Sequence, residues 1–153
     1  MRVVDFLQPD CVVADMGATT KPAVLAELSQ RLARSVPGVD AETLRHVLEE
    51  RELLASTAIG DGIAIPHGKL DSVGHLVGVL GRAVNGIEFE SIDGKPTHLV
   101  FMLVAPASST GVHLKALARL SRLFCDPEFR QRLLVAPSSE AMYRVIAEED
   151  AKY

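Results

Sequence analysis

Arg51, His67 and His113 each fall at an end of a predicted element, and element ends are where sites are built. His67 lies between a proline and a glycine in the run Gly62-Ile63-Ala64-Ile65-Pro66-His67-Gly68-Lys69. A short apolar run bounded by turn residues reads as a buried strand, so the Pro-His-Gly that follows is expected to carry the imidazole out of the core into a turn. Pro66 fixes its own φ and lacks an N–H, while Gly68 lets another group approach the backbone closely, which leaves the ring restrained and accessible. With a reference pKa near 6.5, roughly three quarters of such a side chain is neutral at pH 7 and can attack phosphorus without a separate base.

A phosphoryl group on His67 would need cationic or N–H donors. Arg51, at the end of a predicted helix, offers a planar fork that matches phosphate oxygens. His113, in the first turn of the helix predicted after residue 110, would supply another donor. Its helix start adds exposed backbone N–H groups and a dipole worth about 0.3 to 1 kcal/mol toward an anion. The same dipole disfavours protonation of His113, so a neutral imidazole donating one N–H is the expected form.

Taken singly, each residue has a plainer reading. Arg51 follows Glu49 and Glu50 and precedes Glu52, as a solvated helix charge would. His67 alone reads as a surface histidine in a strand-ending turn, and His113 as a helix-surface or partly buried residue. His46, His75 and His98 receive no function. No Gly-x-Ser-x-Gly occurs, and Ser56 is a triad candidate by proximity in sequence alone. A His67/His113 metal site lacks a third ligand, and no His-x-His or Cys-x-x-Cys grouping exists, so neither metal nor cofactor is expected.

The elements that must position these residues follow from periodicity and punctuation. Residues 11–14 read as a short strand; Thr19 or Thr20 then caps a helix with Val24, Leu25, Leu28 and Leu32 on one face. Pro37-Gly38 breaks it, Asp40 caps a second helix through Leu44, Val47 and Leu48 to Arg51–Leu54, and residues 56–66 are strand and turn. Residues 76–83 read as a strand ended by Asn85-Gly86, a strong turn signal after which another strand is expected. After a turn at Asp93-Gly94-Lys95-Pro96, residues 98–105 are nearly continuous in apolar character, as in a central strand covered on both faces. Ser108, Ser109 or Thr110 caps a helix whose apolar face is read as Leu114, Leu117, Ala118, Ser121 and Leu123. Asp126-Pro127 opens a short helix through Leu134, and Ser138 or Ser139 caps a last one through Met142, Val145 and Ile146. This alternation predicts an α/β fold: one domain over residues 1–153, a mixed β-sheet sandwiched between helices.

Composition bounds the rest. A chain of 153 residues buries about 68 to 70 percent of its unfolded surface, enough for a core without disulfides. Cys11 and Cys125 lie far apart and suit a reducing cytosol. Asp5 and Pro9 interrupt the N-terminus where a signal peptide needs an apolar stretch, and no run approaches the roughly 18 residues of a membrane span, so a cytoplasmic protein without membrane insertion is expected. A net charge of −4 with scattered basic residues, and 5% aromatics without tryptophan, give no nucleic-acid footprint.

The stretch from Arg51 to Gly68, Arg-Glu-Leu-Leu-Ala-Ser-Thr-Ala-Ile-Gly-Asp-Gly-Ile-Ala-Ile-Pro-His-Gly, resembles the signature of enzyme IIA domains of the fructose/mannitol class in the bacterial phosphotransferase system. Lys69-Leu70, the segment Phe89 to Gly94, and Leu103-Val104-Ala105-Pro106 followed by His113-Leu114 look most like the nitrogen-related branch. The resemblance implies a mixed sheet between helices. It also implies a phosphohistidine at His67, filled by a histidine-containing phosphocarrier protein, with Arg51 and His113 lining the phosphate site. The implied partners are that donor and regulatory or transport proteins; homo-oligomerisation is left open. Two alternatives stand beside the regulatory reading: a sugar-specific enzyme IIA of a split fructose or mannitol system, and an interaction module whose histidine is vestigial. Ala55 and Ala58 stand where many relatives have glycine, and strain is expected at either if it needs a positive φ.

Overall fold

The computed structural model describes residues 1–153. A short 3-10 turn, Val3–Asp5, leads into β1 (Leu7–Val13), α1 (Lys21–Ser35) and α2 (Ala41–Leu54). Three short strands follow, β2 (Ala58–Gly60), β3 (Ile63–Ala64) and β4 (His67–Leu70), and then two long ones, β5 (Val77–Ile87) and β6 (Thr97–Pro106). The chain ends in α3 (Thr110–Phe124), α4 (Pro127–Val135) and α5 (Ser139–Asp150). The helix starts follow the expected chemistry: Thr20, Asp40, Asp126 and Ser138 each accept a backbone N–H from the first turn, and Pro22 and Pro127 occupy positions where no N–H is required.

The sheet is mixed and open, with strand order β1-β5-β6-β3-β2 and β4 also on β6. Every residue from Leu99 to Ala105 is buried. Successive strand residues point to opposite faces, so β6 is covered on both sides, and the expected sheet with helices on each face is what forms. β6 pairs antiparallel with β5 on one edge; on its other edge it pairs in parallel with β3 and then β4. Two strands share that edge because Pro66, between them, has no N–H for the ladder, though its carbonyl still accepts from Leu103 at 2.9 Å.

Several expectations are corrected. His67 does not sit in a turn: it opens β4, opposite Leu103. Asn85-Gly86 does not end a strand, since β5 runs on to Ile87 and no separate strand precedes β6. Gly86 takes φ +82° inside an irregular register between Arg82 and Ile87, and a Cβ there would lie 2.8 Å from Pro96. The dipeptide makes a bulge that lets the start of β6 close in. β1 begins at Leu7, earlier than read, because Pro9 is tolerated in an edge strand whose register shifts between Leu7 and Val12. The buried face of α3 is His113, Ala116, Leu120, Leu123 and Phe124, whereas Leu114 is 62% exposed. The expected strain at Ala55 and Ala58 is absent: Ala55 is extended at φ −172°, and the non-glycine residues with positive φ are Asp61 and Glu90.

Candidate functional site

Parallel pairing with β6 sets His67 opposite Leu103 at the start of β4, where α2 packs on the strand and His113 of α3 meets the ring. Gly68 sets how closely α2 packs. A Cβ there would stand 3.0 Å from Val47 Cγ1 and 3.5 Å from Leu48 Cδ2, so the missing side chain lets the helix carrying Arg51 lie against β4. On the α3 side the rings of His67 and His113 meet edge to face, with centroids 5.3 Å apart and planes at 75°. The three residues singled out from the sequence are thus drawn from three elements into one neighbourhood, with Arg51 near enough for its charge to bear on the His67 proton.

The hydrogen bonds assign the tautomer of His67. Nδ1 lies 2.8 Å from the Ile65 carbonyl oxygen, which can only accept, so in the neutral ring the proton is assigned to Nδ1 and Nε2 keeps its lone pair. Burial holds the His67 pKa below the ordinary histidine value; the Ile65 bond raises it, Arg51 lowers it and Glu52 raises it, with a downward net shift. His113 is lowered too, first by burial, then by His67 and Lys69. It is 7% exposed, and its buried Nε2 has no hydrogen-bond partner. Both rings therefore favour the neutral form at pH 7: His67 Nε2 keeps its lone pair, and His113 has N–H donating capacity that no protein acceptor uses up.

Arg51 is half-buried in the last turn of α2, where a cation complements the dipole, and its Nη1 donates to Ala55 O at 3.0 Å. The bond closes the helix and aims the guanidinium while leaving further N–H groups for an anion. At the other helix, the Ser109 side chain makes no capping bond, so the first backbone N–H groups of α3 are left to solvent or ligand.

Two residues beside the site escaped the sequence reading. Lys69, two residues after His67 and so on the same face of β4, donates from Nζ to Thr110 Oγ1 at 3.0 Å. Glu52 is buried and accepts from Thr57 N at 3.1 Å, from Thr57 Oγ1, and from Lys21 Nζ at 2.9 Å. A signal for Glu52 was present: a carboxylate in the last turn of a helix opposes the dipole and needs a partner. Ser56, the weak triad candidate, donates to Phe89 O at 2.6 Å and serves the loop instead.

Residues 5–149 match the family described as phosphoenolpyruvate-dependent sugar phosphotransferase system, EIIA 2. The chain belongs to the EIIA 2 family. A nitrogen regulatory protein of Bradyrhizobium diazoefficiens is 37% identical to this EIIA 2 chain over 147 residues, 96% of this chain and 95% of the relative. The fructose-specific EIIABC component of Bacillus subtilis is 35% identical over 150 residues, covering 98% of this chain and 24% of that longer protein. Among solved structures, the nitrogen regulatory protein IIA-Ntr of Neisseria meningitidis superposes with a TM-score of 0.88 at 30% identity, over 94% of this chain and 98% of the other. Membership makes this EIIA 2 domain a phosphoryl-transfer component of that system, and none of its helices is long and apolar enough to cross a membrane.

Proposed function

We propose that this EIIA 2 domain is a phosphocarrier of the nitrogen-related type: His67 Nε2 accepts a phosphoryl group from a histidine-containing phosphocarrier protein, and the phosphorylated form is read by partner proteins. The observation that carries the chemistry is the Nδ1–H bond from His67 to Ile65 O, because it presents Nε2 deprotonated without a separate base. In the transfer, the Nε2 lone pair forms a bond to phosphorus while the N–P bond of the donor breaks and its electron pair returns to the donor imidazole. Arg51 takes phosphoryl oxygens through its planar fork, and an oxygen between the two rings gives the unpartnered His113 Nε2 a bond. The uncapped start of α3 adds backbone N–H groups to the same charge. A modification of roughly −2 charge here alters docking by attracting basic groups and repelling acidic ones.

Incubation with phosphorylated phosphocarrier is expected to give an acid-labile, base-stable adduct that His67→Ala abolishes; transfer that survives in this variant would reject the reading. Arg51→Ala and His113→Ala are expected to slow single-turnover transfer while the far-UV spectrum stays unchanged, and normal rates in both would move the phosphate site elsewhere. The fructose-specific relatives support a second reading, a IIA unit that passes its phosphoryl group to a sugar-specific IIB. Rapid transfer from the phosphorylated chain to a fructose-specific IIB would favour that reading over the regulatory one.

A further inference from the structure

Beneath the start of β4 lies a chain of hydrogen bonds that begins at a buried ion pair. Glu52 is 9% exposed, and three donors converge on its carboxylate: Lys21 Nζ at 2.9 Å, Thr57 N at 3.1 Å, and Thr57 Oγ1. A carboxylate this buried needs partners for its oxygens, and these three donors supply them. Thr57, itself buried, then accepts from Ile65 N through its carbonyl at 3.0 Å. The Ile65 carbonyl in turn accepts the His67 Nδ1 proton at 2.8 Å. Glu52 thus stands two backbone steps from the bond that selects the tautomer of His67.

The surrounding loop is fastened at few other points. Arg51 holds Ala55 O, and Ser56 Oγ spans from Ala58 N to Phe89 O. None of those three bonds involves Thr57. Lys21, at the start of α1, also lies over the Phe89 ring at 4.8 Å and pairs at 3.2 Å with the exposed Glu90, so the cation end of the pair is anchored outside the loop.

We propose that Glu52 is a positioning residue for phosphoryl transfer: through Thr57 and Ile65 it holds the His67 ring in the orientation and tautomer that present Nε2. The inference rests on the reading of His67 as the phosphoryl acceptor. A merely structural Glu52 would tie α1 to α2 and leave the ring nitrogens untouched, so the decisive readout is spectroscopic. In ¹⁵N-histidine NMR of the full chain, His67 is expected to show a single Nδ1–H tautomer in the wild type and a tautomer mixture in Glu52→Ala. In single-turnover assays with phosphorylated phosphocarrier, Glu52→Ala is expected to lower the saturating rate by up to about a hundredfold, the size of effect that small misplacements of a reacting group produce, with the half-saturating donor concentration unchanged. Glu52→Gln keeps an acceptor oxygen for Thr57 and is expected to recover most of the rate and the single tautomer, and Glu90→Gln to leave both at wild-type values. A wild-type tautomer and rate in folded Glu52→Ala would overturn the proposal. Should Glu52→Ala not fold, Glu52→Asp draws the carboxylate back by one methylene from both Thr57 donors; an unchanged His67 tautomer and rate there would overturn it equally. The NMR comparison needs no phosphorylation: a wild-type chain that is never phosphorylated rejects the acceptor reading, and the ring signals judge Glu52 separately.

Discussion

For His67, burial and the neighbouring Arg51 charge outweigh the Ile65 bond and Glu52, so the ring gives up its proton below the ordinary histidine value of 6.5. The nucleophilic form therefore persists into acid where a free histidine is half-charged. Transfer into His67 is expected to hold its plateau from pH 8 down past 6.5 and to fall only below that; a midpoint at or above 6.5 in single-turnover rates at saturating donor would contradict the assigned environment. The same shift has a stability sign. Between the folded and unfolded pKa values the unfolded chain binds more protons, so stability is complete above about 6.5 and is lost as pH falls from there through the folded pKa. His113, lowered by burial and by the charges of His67 and Lys69, contributes with the same sign. Urea midpoints at pH 7.5 and 5.5 are expected to differ less in His113→Gln than in the wild type.

For the elements, the contact that matters most to the site is α2 on β4, and it depends on an absent side chain. Gly68→Ala places a methyl 3.0 Å from Val47 Cγ1 and pushes against the helix that carries Arg51. The expected cost is about 1 to 3 kcal/mol, as for overpacking elsewhere, with slower transfer into an intact His67. Val47→Ala in the same chain is expected to recover part of both, while Gly74→Ala, with nothing within 4 Å, stays within about 0.5 kcal/mol of the wild type. Denaturant midpoints of the four chains check this. Gly68 was legible as a place of close approach; Val47 as the approaching group was not, because that pairing joins segments whose contact only the fold decides. Helix starts were legible at Thr20, Asp40, Asp126 and Ser138 because a cap is a local hydrogen bond. Asn85-Gly86 misled because the positive φ that suits a hairpin equally suits a bulge, and tertiary closure against Pro96 chose the bulge. The face of α3 misled because apolar type was taken for burial: Leu114 points outward, and the adjacent His113 is buried against His67.

For the whole molecule, the run 98–105 was enough to demand a sheet covered on both faces, and Arg51, His67 and His113 could be proposed together from the sequence because each lies near an end of an element. What stayed hidden were ties between distant segments, which leave no local pattern. One of them joins the two ends of the chain. Asp150, at the end of α5 and 0% exposed, accepts from Arg119 Nε at 2.8 Å and from Val4 N at 3.2 Å, while Arg119 also donates to the Asp150 backbone oxygen at 2.9 Å. α3, α5 and the first 3-10 turn thus meet on one carboxylate. Arg119→Met keeps the aliphatic stem but strands that carboxylate with the Val4 N–H alone, and a buried charge that loses its partner costs about 3 to 5 kcal/mol. Asp150→Leu in the Arg119→Met background removes the stranded charge, so the double variant is expected to be more stable than Arg119→Met alone. The two changes are therefore expected to be strongly non-additive, as for residues that share one network. Urea unfolding at pH 7 decides it. A loss under about 1 kcal/mol in Arg119→Met would mean that the pair behaves as a solvent-screened surface bridge. In that case the apolar contacts of Met142 and Ile146 would be what holds α5 to the rest of the molecule.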